Sequence, residues 1–332
     1  MSFLPKILDD FVINKHIANN MKKYTSNDIP NIIFYGVNNA GKKTLSDCLL
    51  NSIFNDDVKN KKVISQSEIR IGNNKVEIDY LSTKYHIEIN LYEYGLYDKD
   101  ILTDFVFELI CNKSISIHPY KILIINHADK TSINSQLILR RIIDKCNKTA
   151  RFILICENLA NIDTSLRSRF NIVRVPKPSH NDIKEYLMHV SKRHHKLTVP
   201  QQNRILSTCN NDLYLLNQII MATIENPKFN FNKLEDVNRD VNKIFKLIEL
   251  PNIKSILEIR SICYNLLLLN FSMKDLFIKI SNHFIEKIKQ ESKPLFAEYV
   301  AEVNHNMGNI EHDIICIEYL VLKVKKELLL NK

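Results

Sequence analysis

The sequence predicts an α/β domain built on a parallel sheet, followed by segments that are helical throughout. Through the first 175 residues, short β-like runs alternate with helical patterns, which is typical of a doubly wound fold. The runs KILIIN (121–126) and RFILIC (151–156) are almost continuously apolar, as expected for strands covered by helices on both faces. After VPKPS (175–179), in which two prolines interrupt regular structure, no convincing strand follows.

Strands in the first part of the chain are predicted at 31–35, 76–81, 84–90, 121–126, 151–156 and 172–175. At 84–90 the apolar residues Tyr85, Ile87 and Ile89 alternate with polar ones, so we expect an edge strand or a strand buried on one face only. Two amphipathic helices between the strands are indicated by apolar residues at helical spacing, namely Leu45, Cys48, Leu49 and Ile53 in one and Leu102, Phe105, Val106 and Leu109 in the other.

The second part of the chain is predicted to be helical. Two or three helices fit residues 179–224, the segment ENPKFNFNKLED (225–236) is interpreted as a linker, and helical patterns resume after it. The last helix carries a narrow apolar seam with alternating spacings of three and four, formed by Ile314, Ile317, Val321, Val324 and Leu328. This seam either closes a bundle within the chain or joins neighbouring subunits.

Composition restricts the possible functions. A chain of 332 residues is long enough for two or three domains, and 45% hydrophobic with 25% charged residues is ordinary for a soluble protein. The net charge of +9 favours an acidic partner, nucleic acid first. No apolar run reaches the roughly 18–20 residues of a membrane span, and no secretory signal is recognisable, so we expect no membrane association. The seven cysteines form no CxxC pair, which argues against a zinc site or disulfide framework.

A phosphate-binding loop is predicted in NIIFYGVNNAGKKT (31–44). The spacing GxxxxGK is met by Gly36, Gly41 and Lys42, in a chain with only 5 glycines. The motif follows an apolar strand and opens an amphipathic helix, the context in which backbone N–H groups and the lysine surround phosphates. We expect ADP or ATP to be bound by Gly36, Val37, Asn38, Asn39, Ala40, Gly41, Lys42, Lys43 and Thr44. The alternative is a strand-to-helix turn without a ligand.

Hydrolysis is not expected from this loop. Position 43 is lysine rather than the serine or threonine that holds magnesium, and Thr44 lies one residue late. At the end of the strand at 121–126, Asn126 and His127 stand where an ATPase of this type carries Asp-Glu. His127 is interpreted either as a base or as an ordinary loop histidine. The site is therefore predicted to hold a nucleotide structurally, with magnesium weak or absent.

With these residues in place, the chain resembles the small subunits of replication factor C, the sliding-clamp loader of the AAA+ family. IPNIIFYGVNNAGKKT is similar to the phosphate loop of that family, and GKKT is similar to the subunit whose own ATP site is degenerate. Further segments match in order and spacing: LPKILDDFVINKHI (4–17), YHIEIN (85–90), SQLILRRIIDK (135–145), SLRSRF (165–170) and ILEIRSICYNLL (256–267). The opening segment lacks the usual Trp-Val-x-Lys-Tyr lead-in.

The resemblance implies three domains. These are a RecA-like AAA+ nucleotide-binding core at 1–176, an all-α lid at 177–235 and an all-α collar at 236–332 through which five subunits form a ring. It further implies other clamp-loader subunits, a sliding clamp and primed double-stranded DNA as partners, in the nucleus or another intracellular replication compartment. The chain would then be a catalytically degenerate ATPase subunit of an ATP-driven complex.

By the same resemblance, Arg169 in Ser168-Arg169-Phe170 is an arginine finger that reaches the ATP site of the adjacent subunit, although phenylalanine replaces the family's cysteine. A guanidinium supplied in trans stabilises charge on a transferring phosphate. The position of the first sensor asparagine is taken by Glu157, with Asn158 one place late, and that of the second sensor arginine by Tyr214. These departures match the defects at the magnesium position.

Contacts to DNA and to the clamp are also implied by position in the family. Lys99 and Lys184 are the candidates for contacts to the DNA backbone, while Asn161 stands where other members use lysine. The helix at 101–110 is a candidate clamp contact through Leu102, Phe105 and Phe107; core packing is the default for the first two, whereas Phe107 lies off their stripe. Arg140 or Arg141 is expected to support a subunit interface.

Three alternatives remain open at the level of sequence. The first is a subunit of another AAA+ assembly, such as a checkpoint clamp loader. The second is a stand-alone P-loop NTPase or nucleotide kinase, and the third is a scaffold whose site stays empty. A stand-alone enzyme needs a catalytic base or acceptor pocket, and the C-terminal half offers only helices.

Overall fold

The computed structural model describes the chain except for residues 1–3, 25–27, 55–61, 72–73, 112–119, 195–196, 210, 226–231, 251–254, 269–272, 308–312 and 331–332. The chain divides into two compact units, Met1–Phe229 and Asn230–Lys332. None of the described helices is both long and apolar enough to cross a membrane. The domain limits at 176 and 235 stay predictions.

The first unit is built on a seven-stranded sheet in the order β2-β3-β4-β5-β6-β1-β7. Pairing is parallel from β4 through β5, β6 and β1 to β7, and antiparallel between β2 and β3 and between β3 and β4. The mostly parallel sheet confirms the predicted α/β core. Its strands are β1 Ile32–Tyr35, β2 Val63–Ile71, β3 Asn74–Ser82, β4 His86–Ile89, β5 Lys121–Ile125, β6 Ala150–Cys156 and β7 Asn171–Arg174.

Helices cover both faces of this sheet and continue after it. Those of the first unit are α1 Lys15–Met21, α2 Lys42–Phe54, α3 Asp98–Asp100, α4 Phe107–Cys111, α5 Ile133–Lys145, α6 Thr164–Arg167, α7 His180–His194, α8 Val199–Thr208 and α9 Leu213–Glu225. A π-helical turn, Ile101–Val106, joins α3 to α4. The two faces carry separate apolar clusters, one with Leu102, Leu139 and Leu154 and one with Leu45, Leu49 and Phe34.

Two predictions about strands were wrong. The strand β2 was missed because its polar residues Ser65, Gln66 and Ser67 give no apolar run. The strand β4 lies inside the sheet, between β3 and β5, rather than at an edge. Its polar residues His86 and Glu88 are nevertheless buried, to 1% and 2% exposure. Glu88 is paired with two lysines, and His86 is bonded to the hydroxyl of Thr83.

The second unit is an all-helical bundle. It comprises α10 Asn232–Glu249, α11 Ser255–Leu268, α12 Met273–Ile285, α13 Lys293–Met307 and α14 Asp313–Leu330. Four seam residues of α14, Ile314, Ile317, Val321 and Val324, are buried in the core of this unit, so for them the seam closes the bundle within the chain. Residues 232–236 of the expected linker belong to α10. After residue 179, no strand occurs among the described residues, as predicted.

A buried lysine closes the end of α10. The Nζ of Lys325 in α14 donates hydrogen bonds to the Leu247 O at 3.0 Å, the Leu250 O at 2.9 Å and the Ser255 Oγ at 2.5 Å. Carbonyl groups at a helix C-terminus have no partner within the helix, and a cation there is favoured by the helix dipole. Burial lowers the pKa of Lys325. The ammonium therefore joins the end of α10, the start of α11 and α14.

We expect Lys325→Met to lower the free energy of unfolding by about 1–3 kcal/mol, because it leaves buried carbonyl groups without a donor. Lys326→Met is the matched control, since Lys326 is the exposed neighbour on the same helix. Chemical denaturation of the full chain measures both variants. Equal stability of the two variants would contradict the assigned role.

Candidate functional site

The predicted phosphate loop lies at the carboxyl end of β1, where α2 begins. It borders a cleft of about 1320 Å³ that is also lined by the ends of β4, β5 and β6 and by α9. The first N–H groups of a helix have no intrahelical partner and attract anions. Its lining also includes the apolar and aromatic residues Phe11, Ile13, Val175 and Tyr186. The cleft thus offers polar groups for phosphates and apolar surface for a base.

Both loop glycines are required by the backbone. Gly36 has φ +152°, and a Cβ at this position would lie 2.1 Å from the Val175 O. Gly41 has φ +91°, in the range that L side chains rarely adopt, and a Cβ there would lie 3.5 Å from Leu213 Cδ1. Gly36 therefore allows the loop to pass against the backbone just after β7, and Gly41 allows the turn into α2. Asn39 also has a positive φ of 58°.

Lys42 lies at the centre of the loop. Its side chain is 7% exposed, and its Nζ donates to the Gly36 O at 2.6 Å and the Val37 O at 2.9 Å. Burial lowers the pKa of Lys42, while Glu157 opposes this shift. An ammonium enclosed by the loop, next to the start of a helix, fits the terminal phosphates of a nucleotide.

The loop is joined directly to the start of α9. Asn39 Nδ2 donates to Asp212 Oδ2 at 2.8 Å, and Asp212 Oδ1 accepts the backbone N–H groups of Tyr214 and Leu215 at 2.8 and 3.1 Å. Asp212 therefore caps α9 and holds Asn39 at the same time. Tyr214, in the place expected for the second sensor arginine, is exposed and lines the cleft. Asp212 was not singled out from the sequence; its position just before a helix was the available signal.

The place expected for a magnesium ion is occupied by charged protein groups. The Nζ of Lys43 lies 2.5 Å from Glu88 Oε1, and Asn126 Nδ2 donates to the same oxygen at 2.7 Å. Magnesium needs oxygen ligands in an octahedral arrangement, whereas position 43 offers an ammonium and position 126 an amide already bonded to Glu88. These residues do not fit a magnesium ion. Among the described residues, no group of three or more His, Cys, Asp or Glu side chains is arranged to hold a metal.

Glu88 belongs to a buried charge cluster, which we define as Lys43, Asp47, Lys62 and Glu88. Lys62 Nζ donates to Glu88 Oε2 and to Asp47 Oδ1, each at 2.7 Å. Burial raises the pKa of Glu88, but Lys43 and Lys62 outweigh burial and lower it to about 2. Burial raises the pKa of Asp47, with Lys62 opposing. Burial lowers the pKa of Lys62, yet the two carboxylates prevail and raise it.

The charge cluster was not predicted from the sequence. The sequence feature that could have indicated it is the set of polar residues in the alternating run at 84–90, which were expected to face solvent. His86, on the same side of β4, is buried beside the cluster, and its Nδ1 lies 2.8 Å from Thr83 Oγ1. Burial first, and then the positive charge of Lys62, lower the pKa of His86 to about 4. His86 is therefore neutral near pH 7.

The end of β5 and the end of β6 place His127 near Glu157. The His127 Nδ1 and the Glu157 Oε1 are 3.9 Å apart, which is longer than a hydrogen bond. Burial, and then Lys130, lower the pKa of His127, while Glu157 opposes this. Asp129 Oδ2 accepts the N–H groups of Glu157 and Asn158 at 3.2 and 3.0 Å. Asp129 thus fixes the loop that carries the expected first sensor.

Arg169 lies at the surface after α6. Its Nε and Nη2 donate to the two carboxylate oxygens of Asp144 on α5 at 2.7 and 3.0 Å, and its Nη1 donates to the Ser165 O at 2.6 Å. Its side chain is 31% exposed. The neighbours Leu166 and Phe170 are buried, so α6 is anchored while the guanidinium stays at the surface. Its role in trans stays a prediction.

The remaining candidates lie apart from the cleft. Lys99 and Lys184 are exposed, on α3 and α7. Asn161 is exposed, and its backbone O accepts from Gln136 Nε2 at 3.0 Å. Both arginines of α5 are accessible: Arg140 is half-buried and Arg141 is exposed. In the helix at 101–110, Leu102 is buried, and Phe105 and Phe107 are both half-buried against the core, so Phe107 is not set apart from the other two.

We expect stability to fall as the pH drops from 6.5 to 4.5, because His86 is neutral when folded. Its folded pKa of about 4 lies below the ordinary 6.5, so the unfolded chain binds the extra proton in this window, which costs roughly 2 kcal/mol. The groups that set this pKa are Lys62, Glu88 and Lys43. His86→Gln should lose less stability over the window, whereas His180→Gln, at an exposed position, should behave like the wild type. Denaturation at each pH is the measurement, and equal slopes for all three proteins would contradict the assignment.

Comparison with known proteins bears on the family that the sequence resembles. No family model matches the sequence. A protein of Acanthamoeba polyphaga mimivirus assigned as a replication factor C small subunit is 29% identical over 99% of this chain and 91% of its own length. Replication factor C subunit 5 of Saccharomyces cerevisiae is 25% identical, covering 97% of both chains. Replication factor C subunit 3 of Arabidopsis thaliana is 27% identical over 97% of this chain and 94% of its own.

Among solved structures, a RuvB of Thermotoga maritima covers 99% of this chain and 91% of its own, with a TM-score of 0.47 and 11% identity. The three full-length relatives all carry the name of the family that the phosphate loop and the segment SLRSRF indicated. The resemblance stated from the sequence is thereby confirmed: over nearly its whole length, this chain is similar to the small subunits of replication factor C.

Proposed function

We propose that the chain is a clamp-loader small subunit that binds an adenine nucleotide, hydrolyses it slowly or not at all, and supplies Arg169 to the active site of a neighbouring subunit. The observation that carries the proposal is the phosphate loop itself. It has both required glycines and an enclosed Lys42, yet an ammonium paired with Glu88 where a magnesium ligand belongs. Full-length similarity to replication factor C small subunits supports the assembly.

Nucleotide binding without turnover follows from what the loop retains and lacks. Lys42 and the N-terminal N–H groups of α2 would hold the phosphates, and ADP or ATP would be retained with magnesium weak or absent. Hydrolysis needs charge neutralisation by the metal and an activated water. Lys43, Asn126 and Tyr214 do not supply these, and His127 lies 3.9 Å from Glu157 without a hydrogen bond to it.

Arg169 fits a role in trans because it is presented rigidly. Asp144 and the Ser165 O hold all three guanidinium nitrogens at the surface, and a phosphate of a neighbouring subunit would take the place of Asp144. Leu166 and Phe170 anchor the short helix beneath it. A fork-shaped cation at the surface is suited to the γ-phosphate of a neighbouring site.

Partners are inferred from the family. We expect a ring of five subunits, with the collar at 236–332 as the oligomerisation domain and the lid at 177–235, that opens a sliding clamp and places it on primed double-stranded DNA in the nucleus or another intracellular replication compartment. The net charge of +9 and the exposed Lys99 and Lys184 support contacts to the DNA backbone. A checkpoint clamp loader is the nearest alternative, and a stand-alone P-loop enzyme is a more distant one.

The isolated chain should bind ADP or ATP with negligible turnover. Lys42→Met should weaken binding by about ten- to a hundredfold, since a charged hydrogen-bond donor is lost. Lys148→Met, at an exposed position outside the cleft, should bind like the wild type. Calorimetry measures affinity and a phosphate-release assay measures turnover. Brisk turnover would favour the stand-alone enzyme, and a lack of binding would favour an empty scaffold.

In the reconstituted assembly, Arg169→Ala should reduce ATPase activity at the site it completes by tenfold or more, given that arginine fingers contribute about 10³–10⁵ in kcat. Nucleotide bound in this subunit should remain. Arg169→Lys should also lose activity because the fork is lost, whereas Arg70→Ala, at an exposed arginine of β2, should not. Assembly must be verified by size-exclusion chromatography, and unchanged ATPase in a complete assembly would refute the finger.

A further inference from the structure

Two successive lysines at the start of α2 oppose the electrostatics of a helix. The N-terminus carries a partial positive charge, so a cation there is disfavoured by about 0.3–1 kcal/mol. Lys42 and Lys43 are the first two residues of α2. Lys42 belongs to the phosphate loop, but no feature of the loop itself calls for a second ammonium. A residue kept against its local preference indicates a compensating interaction.

That interaction is with Glu88, whose carboxylate already accepts three hydrogen bonds from protein groups. Its Oε1 accepts from Lys43 at 2.5 Å and from Asn126 at 2.7 Å, and its Oε2 accepts from Lys62 at 2.7 Å. The side chain is 2% exposed. A divalent cation at this carboxylate would have to displace the ammonium of Lys43 and would still face that of Lys62. The carboxylate of Glu88 is therefore already neutralised by cationic groups of the protein.

The charge cluster is balanced without a metal. Glu88 and Asp47 contribute two carboxylates, and Lys43 and Lys62 contribute two ammonium groups. The pKa of Glu88, at about 2, keeps it ionised near neutral pH, and the pKa of Lys62 is raised, which keeps it protonated. A bound magnesium ion would add two positive charges to this neutral group. Nucleotide phosphates, in contrast, would meet an ammonium that is already in position.

The half-exposed side of Lys43 faces the cleft. Its side chain is 54% accessible while that of Glu88 is enclosed, and both residues line the cleft together with Lys42 and Asn126. One side of the ammonium is thus held by protein and the other is open to a ligand. A purely structural ion pair has no need of that opening.

We propose that Lys43 is a built-in substitute for the magnesium ion, held by Glu88 and Asn126 at the phosphate loop, so that this site takes ADP or ATP free of a divalent cation. The inference rests on the proposed nucleotide binding and deepens it. Lys43 is a binding residue that contacts phosphate. Glu88 is a positioning residue, and Lys62 and Asp47 hold Glu88 in turn.

The test compares the affinity for ADP, by calorimetry, in excess magnesium and in EDTA. Because ADP in excess magnesium is largely complexed to the metal, wild-type affinity should be at least as high in EDTA as in magnesium, and Lys43→Arg, which keeps the cation, should behave in the same way. Lys43→Thr should bind about tenfold more weakly in EDTA, a loss of roughly 1.4 kcal/mol, and should recover part of it in magnesium because a hydroxyl now stands beside Glu88. Lys148→Thr is the control for loss of a lysine at an exposed position.

Glu88→Gln gives an independent readout, because this variant keeps the ammonium of Lys43 but removes the carboxylate that positions it. Its ADP affinity in EDTA should fall by severalfold, with a thermal melt confirming that the chain is folded. Wild-type binding that needs magnesium would overturn the inference while leaving nucleotide binding intact. Equal EDTA affinities of the wild type and Lys43→Thr would overturn it as well. Absence of ADP binding by the wild type in both buffers would overturn the proposed function, and this inference with it.

Discussion

The architecture of the candidate site depends on one buried carboxylate held between two ammonium groups. Burying a carboxylate costs several kcal/mol unless it is paired and hydrogen-bonded, and Glu88 has Lys43, Lys62 and Asn126 as partners. Those partners come from α2, from the segment before β2 and from the end of β5. The carboxylate therefore fixes the position of β4 relative to the phosphate loop. It also explains why an interior strand carries polar side chains on a covered face.

The phosphate loop and the helices after β7 form a second connected group. Asp212 caps α9 and accepts from Asn39, and Leu213 lies against Gly41. Gly36 in turn passes close to the backbone of Val175, the residue after β7. The loop is therefore in direct contact both with the end of the sheet and with α9.

Sequence patterns foresaw the parallel strands because those strands are apolar, and they foresaw the loop because glycine spacing before a helix has few other uses. They failed where side chains act against their usual preference. The polar residues of β2 concealed a strand, and His86 and Glu88 made an interior strand resemble an exposed one. Lys62 and Asp47 are distant in sequence from Glu88, so only the folded chain brings the cluster together. The same applies to Asp144, whose pairing with Arg169 has no local signature.

If Arg169 acts in trans as proposed, its pairing with Asp144 has a consequence for communication between protomers. A guanidinium that is already bonded to a carboxylate exchanges it only for an anion that binds more strongly, through greater charge or better geometry. Binding to Arg169 therefore requires an anion that competes with Asp144. A neighbour carrying a triphosphate would compete with Asp144 more readily than one carrying a diphosphate. Under that proposal, the strength of this one surface ion pair would determine how well Arg169 discriminates between a triphosphate and a diphosphate in the adjoining protomer.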